Sequence, residues 1–299
     1  MDNNRRFPLI LSGFWLKIIA LLTMTIDHIG LTFNIHPLRY IGRLALPLFC
    51  LMIAEGVIHT RNIKKYLLRL GIMALAISGI IVLTDVIPLI RDNGGSMKDA
   101  GVIFIDLLLG ALAVFLLRQK KWYIKLLALL PIAYGTISYI VSCHDMCGCQ
   151  GEVLWFPYFL RTQYGWFGIA LIIGFYLAYL LKDLFIKGIG QQSGTDPELY
   201  RDSNLERNAI NIISVLVLAV LSVVFYFSES YIANNVYPLP YAMTDVQLFA
   251  IISGAFILLY NGRRGYNKKW FQYGCYLYYP LHLAIIVLIF VIINAQMYF

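Results

Sequence analysis

The segment LKIIALLTMTIDHIG, residues 16–30, places an aspartate beside a histidine inside an apolar stretch that suits a membrane span. An aspartate at the bilayer centre costs about 2.5–3.5 kcal/mol on insertion scales, so such groups face a protein interior or water and mark candidate sites. At about 1.5 Å per residue from Lys17 at the surface, Asp27 and His28 lie near the midplane. Because neighbouring helical positions point about 100° apart, each needs a partner on another helix. The stretch predicts a membrane-embedded polar site, with a helix-packing salt bridge as the alternative.

The composition excludes a soluble protein. Of the 299 residues, 60% are hydrophobic and 13% are charged, and the mean hydropathy is +0.72. Soluble domains carry about a quarter charged residues. The net charge of +8 would suit nucleic acid, but orientation in a membrane explains it better. The expected partner is therefore the lipid bilayer, and no nucleic acid is expected.

Nine apolar segments lie along the chain. They span roughly 14–35, 41–59, 66–90, 101–118, 122–142, 165–185, 209–228, 245–260 and 271–297. Helices are expected, because lipid leaves backbone groups without hydrogen-bond partners. An irregular stretch at 229–244 could hide a re-entrant piece. We therefore predict an all-α polytopic membrane protein of one domain (1–299), with about nine transmembrane helices, or ten.

Basic residues are distributed unequally between the two sides of a nine-helix arrangement. Of the 24 Lys and Arg residues, all but five fall in the segments on one side. The five exceptions are Arg39, Arg43, Arg91, Lys98 and Arg161. Because cytoplasmic segments carry the excess of Lys and Arg, this bias predicts a cytoplasmic N-terminus. The charged start MDNNRR leads into a full-length span without a small-residue cleavage pattern, so we expect it to be retained.

Two connecting segments stand out. Segment 186–208 is polar and is expected to form a flexible cytoplasmic loop. Segment 143–164 is expected to form an outer loop. It contains the four possible metal ligands Cys143, His144, Cys147 and Cys149. Tetrahedral zinc sites usually pair two ligands from each of two loops, and thiols outside the cell oxidise. One disulfide with a spare thiol is therefore expected, and no metal.

The second span carries two arginines on one face, Arg39 and Arg43, one helical turn apart. Arg43 lies deeper and precedes Pro47, whose missing N–H frees backbone groups, so a functional role is predicted for it. Arg39 is equally well explained as a snorkelling anchor. Glu55 follows in the inner half with His59 one turn beyond, where a functional carboxylate and a structural Glu–His pair are equal alternatives.

The last span contains CYLYYPLHLAII, residues 275–286. His282 approaches the midplane, and Tyr278 precedes it by one turn. Pro280 removes the helical donor for the Tyr276 carbonyl, which favours a polar cavity and a tilted or broken helix. An aromatic belt with a satisfied histidine is the alternative. The weaker candidates Asp85 and Asp106 sit toward the outer ends of their spans, where they could be exposed.

These motifs together resemble the TraX family. The matching stretches are 16–30, 41–70 (IGRLALPLFCLMIAEGVIHTRNIKKYLLRL), 162–177 (TQYGWFGIALIIGFYL), 257–265 (ILLYNGRRG) and 277–286 (LYYPLHLAII). The combination of D-H, G-R-x-x-x-P-x-F, Y-G-W-x-G and Y-P-L-H-L is specific, whereas no single block would suffice. The resemblance covers the chain from end to end and is weakest at 91–160 and 186–244.

The resemblance implies a polytopic acyltransferase of the cell (inner or plasma) membrane. The family's founding member acetylates the amino terminus of F-type pilin with acetyl-CoA, and the family is similar to a broader group of integral-membrane acyltransferases. By motif position, the implied catalytic residues are His28, Asp27, Arg43 and His282. The pilin substrate does not transfer with the resemblance. The cysteine loop and segment 186–208 depart from the family pattern, which leaves an envelope protein, a glycan or a small molecule as acceptor.

The implied mechanism is acyl transfer through the membrane core. Acetyl-CoA, the expected acyl donor, would dock at the inner surface. The candidate phosphate ligands are Arg61, Lys64, Arg263 and Arg264, although orientation alone also explains them. His28 would deprotonate an acceptor amine or hydroxyl, and Arg43 would stabilise the oxyanion or position a carboxylate. Four more side chains are expected in the substrate and cofactor sites: Arg39, Glu55, Tyr278 and Tyr279.

Two rival functions use the same residues. A proton-coupled transporter or flippase would relay protons through Asp27, His28 and Glu55. The sequence has no internal repeat and no paired broken helices, which are typical of many transporters. A structural membrane subunit would not explain several ionisable groups near the midplane.

Overall fold

The structure, a computed structural model, is built of helices within the residues it describes: 9–98, 101–147, 153–194, 196, 203–236 and 244–297. Within these ranges there are α-helices and short 3₁₀ turns, and no β-strand. The helices are α1 (Gly13–Thr32), α2 (His36–Gly42), α3 (Ala45–His59), α4 (Ile63–Val86), α5 (Pro88–Arg91), α6 (Ile103–Leu117), α7 (Trp122–Leu126), α8 (Leu129–Met146), α9 (Trp166–Ser193), α10 (Asn204–Asn235), α11 (Thr244–Leu248), α12 (Gly254–Leu258) and α13 (Lys269–Met297). The predicted all-α class is confirmed.

Seven helical segments are long and apolar enough to cross a membrane, and the chain is a membrane protein. They are α1, α2 with α3, α4, α7 with α8, α9, α10 and α13. The other two predicted spans are helical but shorter, at Ile103–Leu117 and Val246–Leu258. The shorter helix α6 packs against α3, α4, α8 and α9, and most of its residues are buried. Protein, rather than lipid, surrounds it, so it need not match the bilayer thickness.

The first and last helices run side by side in the same direction. Thr25 on α1 hydrogen-bonds Tyr278 on α13 through their hydroxyls at 2.7 Å. His28 contacts His282 one turn further along both helices. This parallel arrangement agrees with an odd number of crossings between the two helices. α13 continues through Pro280 without a break.

Helices α9 and α10 extend into segments that were expected to be irregular. α9 extends to Ser193 and α10 begins at Asn204, so helix occupies both ends of the predicted loop 186–208. α10 also continues to Asn235. The expected re-entrant piece is therefore wrong for 229–235, because this stretch prolongs a regular helix. Residues 237–243 lie outside the described ranges.

The outer cysteines divide into two kinds. α8 extends to Met146, so Cys143 and His144 belong to a helix rather than to the predicted loop. Cys143 is a buried free thiol, whereas Cys147 is disulfide-bonded. Cys149 lies outside the described residues. This state agrees with the expected disulfide and spare thiol.

Residues 259–264, late in the chain, form backbone hydrogen bonds with the start of α1. The backbone N–H of Leu11 donates to the Leu259 carbonyl at 2.9 Å, and that of Gly13 donates to the Arg263 carbonyl at 2.8 Å. The first N–H groups of a helix have no partner within it, so these carbonyls satisfy donors that would otherwise be orphaned. The tie fixes the chain just before α13 against the beginning of α1.

Candidate active site

Asp27 forms a buried ion-pair cluster with two arginines. Its carboxylate oxygens accept hydrogen bonds from Nη2 of Arg43 at 2.5 and 2.6 Å. Nε of Arg39 lies 3.2 Å from Asp27 Oδ1. Asp27 is 5% exposed and Arg43 is 8% exposed. α1 and the α2–α3 junction thus supply opposite charges that compensate each other inside the membrane region.

The G-R motif explains how the two segments come so close. Gly42 packs directly against Asp27, and a Cβ at this position would overlap the aspartate side chain. Arg43 follows at the junction between α2 and α3, where the backbone stays in the right-handed helical region. A glycine is therefore required beside the arginine for the guanidinium to reach the carboxylate.

Arg43 makes five hydrogen bonds within the cluster. Besides its two bonds to Asp27, the guanidinium donates from Nε to the Arg39 carbonyl at 3.4 Å. Nη1 donates to the Tyr164 hydroxyl at 3.4 Å and to Gln247 Oε1 at 3.3 Å. These five hydrogen bonds reach four different residues, so a ligand of Arg43 would compete with the network that holds the guanidinium. This geometry favours a positioning role for Arg43 over the predicted role as oxyanion ligand.

The two histidines form a buried pair across α1 and α13. His28 Nδ1 lies 2.8 Å from His282 Nε2, and the rings stack with centroids 5.0 Å apart. Both side chains are buried. As expected from the helical spacing, Asp27 and His28 do not pair with each other. Each finds its partner on another segment.

Hydrogen bonding assigns the tautomers of the pair. His282 Nδ1 lies 2.9 Å from the Tyr278 carbonyl, which can only accept, so His282 carries its proton on Nδ1. His282 Nε2 is then an acceptor, and His28 donates to it from Nδ1. The remaining nitrogen, His28 Nε2, is left with a lone pair. This atom is the available base of the pair.

Two cavities approach the histidines from opposite ends of the bundle. The inner cavity, at the end where α1 begins, has a volume of about 390 Å³. Its polar and aromatic lining includes Lys17, Glu55, Arg69, Tyr260, Arg264 and Tyr279. The outer cavity, at the end where α1 terminates, has a volume of about 410 Å³. Its lining includes Asp27, His28, Arg43, Arg161, Glu229 and Gln247.

Tyr279 stands between the inner cavity and the histidines. Its ring contacts Phe104 edge-on at a centroid distance of 5.0 Å, and both residues line the inner cavity. The same ring meets His28 at 6.1 Å and His282 at 5.4 Å, in both cases nearly perpendicular. One aromatic layer thus separates the inner cavity from the histidine pair. The outer cavity reaches the pair directly, because His28 lines it.

Three basic residues line the inner cavity, and the sequence pointed to only one of them. Arg264 lines it, but Arg61, Lys64 and Arg263 line neither cavity and are exposed. Lys17 and Arg69 were missed. Counting charges by side of the membrane does not tell which helix face they occupy. For Lys17 a signal existed, because a spacing of eleven residues places it on the same face of α1 as His28.

Glu55 belongs to a separate buried network. Its carboxylate accepts hydrogen bonds from the hydroxyls of Tyr179 and Tyr260, and from Arg207 Nη1 at 2.8 Å. The Arg207 guanidinium also lies 4.2 Å from the centroid of the Tyr260 ring. His59 bonds the Glu55 backbone carbonyl rather than the carboxylate. These contacts connect α3, α9, α10 and the 259–264 segment.

Tyr278 and the two weaker aspartates line neither cavity, whereas Glu55 lines the inner one. The Tyr278 ring stacks on His282, and its hydroxyl bonds Thr25, so its side chain supports the pair without lining either cavity. Asp106 is fully buried, which makes its expected exposure wrong. Its carboxylate instead accepts the backbone N–H groups of Gln163 and Tyr164 that lead into the Y-G-W motif. Asp85 is half-buried and accepts from Ser96 and Tyr158.

The outer cavity contains unpartnered polar atoms on residues that sequence reasoning missed. Glu229 accepts from the Tyr139 hydroxyl at 2.8 Å through Oε1, whereas its buried Oε2 has no hydrogen-bond partner. Gln247 accepts from Arg43, but its buried Nε2 has none. Both residues lie where the family resemblance is weak or absent. No spacing in α10 or α11 points to them.

A helical bundle with a buried histidine pair between two cavities defines a polytopic membrane protein with a polar centre. The chain belongs to the TraX family: the family described as TraX protein matches residues 12–185, more than half of the sequence. This region contains Asp27, His28, Arg43 and Tyr164.

A curated relative matches over a short stretch. It is named "Probable fimbrial assembly protein FimC, serogroup H1", from Dichelobacter nodosus, and is 46% identical over 65 residues. The match covers 20% of this chain and 27% of the relative, so the chain spans only about a quarter of that protein. No solved structure matches the sequence.

Proposed function

We propose that this chain is a membrane-embedded acyltransferase of the cell (inner or plasma) membrane. It moves an acetyl or short acyl group from acetyl-CoA at the cytoplasmic side to an amine or hydroxyl of an extracytoplasmic acceptor. The observation that carries the proposal is the His28–His282 pair, placed between two cavities at opposite ends of the bundle with only the Tyr279 layer on the inner side.

The inner cavity suits the donor. Acetyl-CoA carries several phosphate charges, and Lys17, Arg69 and Arg264 supply cations around this cavity. Charge-assisted contacts to phosphate are the strong class of hydrogen bonds. The apolar and aromatic remainder of the cavity leads to Tyr279, so an extended pantetheine arm would bring the thioester toward His28.

His28 is the proposed general base. Its Nε2 lone pair is the acceptor site that the tautomer assignment leaves open, and it takes the proton from the acceptor nucleophile. The charge that forms is shared with His282, whose Nδ1–H is held by the Tyr278 carbonyl. His282 thus fixes the tautomer and steadies the imidazolium. General-base catalysis of this kind contributes about 10²–10⁴-fold in rate.

The outer cavity suits an acceptor with both hydrogen-bond donors and acceptors. Glu229 Oε2 and Gln247 Nε2 are buried and unpartnered, so each can bind a complementary group of an incoming molecule. The relative's name mentions fimbrial assembly. A subunit of a surface fibre is therefore the first acceptor to test, ahead of glycans and small molecules.

The test uses the full chain in lipid nanodiscs with acetyl-CoA radiolabelled in the acetyl group. Envelope extract from a strain that lacks the gene supplies the acceptor. We expect free CoA to appear together with label in one extract component, and neither to appear without the protein. Flux driven by a pH gradient in proteoliposomes, without CoA release, would instead support a transporter.

Neighbouring arginines provide a matched test of the donor site. Arg264→Gln removes a cation that lines the inner cavity, whereas Arg263→Gln removes one that lines neither cavity. We expect KM for acetyl-CoA to rise about tenfold in the first variant, equivalent to about 1.4 kcal/mol. The second variant should match the wild type. Equal KM values for the two variants would place the CoA phosphates elsewhere.

A further inference from the structure

Acyl transfer needs a hydrogen-bond donor for the oxyanion that forms on the thioester carbonyl. Such donors are preorganised near the reacting carbon, and removing one costs about 10²–10³-fold in kcat. Arg43 is the cation next to His28, but its guanidinium makes five hydrogen bonds to Asp27, Arg39, Tyr164 and Gln247. Using Arg43 would break part of the network that holds the cluster. A donor outside this network would leave the cluster intact.

Tyr279 has a free phenol in the required place. Its side chain is buried and lines the inner cavity, and its ring lies against both histidines. Within the part of the chain that the structure describes, its hydroxyl has no hydrogen-bond partner, in contrast to the hydroxyl of Tyr278, which is bonded to Thr25. A buried tyrosine normally pairs its O–H, so an unpaired one on a side chain that lines a cavity is available to a ligand.

We infer that Tyr279 is a catalytic residue that donates its phenolic hydrogen to the carbonyl oxygen of the acyl donor. This inference rests on the proposed function, and it assigns to Tyr279 the role of oxyanion ligand that the sequence suggested for Arg43. The thioester arrives through the inner cavity, and Tyr279 is the side chain that separates this cavity from His28. The phenol and the imidazole therefore meet the reacting carbon from adjacent positions.

The step balances with the groups present. The neutral amine or hydroxyl of the acceptor attacks the carbonyl carbon, and its proton moves to His28 Nε2. The carbonyl π electrons move to oxygen, and the Tyr279 O–H donates a hydrogen bond to the oxyanion that forms. When the carbonyl re-forms, the C–S bond breaks, and the CoA thiolate leaves with the proton from His28. The products are the acylated acceptor and CoA.

Gln247 and Arg39 are competing donors, because Gln247 Nε2 and Arg39 Nε are also buried without a hydrogen-bond partner, and both residues line the outer cavity only. Gln247 lines only the outer cavity, through which the acceptor would arrive, and its amide oxygen is held by Arg43. Tyr279 lines the donor's cavity and contacts both histidines directly. The position on the donor side favours Tyr279.

The experiment compares Tyr279→Phe with Tyr134→Phe in the nanodisc assay. Tyr134 loses a hydroxyl that donates to the Leu160 carbonyl, outside both cavities, so this variant controls for removing a phenol from a membrane helix. We expect Tyr279→Phe to lower kcat about 10²–10³-fold with KM for acetyl-CoA unchanged. Tyr134→Phe should keep the wild-type kcat.

Two further measurements keep the result interpretable. Binding of an unreactive acetyl-CoA analogue, with a methylene in place of the thioester sulfur, should be the same in wild type and Tyr279→Phe, which shows an intact donor site. A Tyr279→Phe enzyme with wild-type kcat, or a kcat loss confined to Gln247→Leu, would overturn the inference while the acyltransferase function stands. A wild-type protein that consumes no acetyl-CoA would overturn both.

Discussion

Two buried acid–arginine clusters lie in the bundle, and they differ in what surrounds them. Asp27 with Arg43 lies next to the histidine pair and lines the outer cavity. Glu55 with Arg207 lies toward the inner end, where the carboxylate receives two tyrosine hydroxyls and the guanidinium covers an aromatic ring. Both clusters neutralise charge inside the membrane. Only the first adjoins a base with a free lone pair.

The difference shows that an ionisable residue in a membrane helix is as readily structural as chemical in its role. Removing one partner of a buried ion pair is costly whichever cluster it belongs to, because a bare charge remains. Each cluster borders a cavity, so the proposed difference in chemistry depends on the base next to Asp27 and Arg43. The following substitutions separate the two kinds of role.

The largest effect is expected for His28→Ala. It removes the base and the donor to His282, so kcat should fall about 10²–10⁴-fold while acetyl-CoA binding persists. His36→Ala, at an exposed position at the start of α2, should have no effect. Steady-state CoA release by the two purified variants measures the contrast. An active His28→Ala protein would move the base to another residue.

Asp27→Ala and Glu55→Ala compare the two clusters directly. Each leaves a buried arginine uncompensated, so each should lower the free energy of unfolding by about 3–5 kcal/mol. Their catalytic effects should differ. Folded Asp27→Ala should lose most of its kcat because Arg43 and the adjacent His28 shift, whereas folded Glu55→Ala should keep most of it. Denaturant unfolding in detergent, with kcat per folded molecule, checks both. Equal kcat losses would contradict the division.

A smaller effect is expected for Gly42→Ala. The added methyl overlaps Asp27, and overpacking of this kind costs about 1–3 kcal/mol. Gly79→Ala, in α4, is the control, because no atom lies within 4 Å of the place that its new methyl group would occupy. It should be neutral or slightly stabilising. Thermal unfolding of the two variants measures the difference, and equal midpoints would mean that α1 and α2 can separate at no cost.

The hydrophobic pattern was sufficient to predict the helices, because lipid permits little else. All nine apolar segments are helical, and helical spacing correctly indicated that Asp27 and His28 would look for different partners. The hydrophobic pattern did not indicate how long each helix is. α6 is short because protein covers it, and the burial of α6 depends on neighbours that no local pattern contains.

The candidate site was predictable only where a motif carried it. His28, Arg43 and His282 converge, as the combination of motifs suggested. Glu229 and Gln247 could not be found, because their significance lies in atoms left without partners after folding. Arg263 and Arg264 are adjacent in sequence, yet only one reaches the inner cavity. Such a distinction depends on the path of the 259–264 segment across the start of α1.

The pairing of His28 with a partner 254 positions later also sets an order of events during synthesis. The ribosome delivers His28 in the first membrane helix, but the imidazole that fixes its tautomer enters the bilayer with the last one. In the folded structure, backbone hydrogen bonds hold residues 259–264, just before α13, against the start of α1. The histidine pair is therefore complete only once α13 has been inserted.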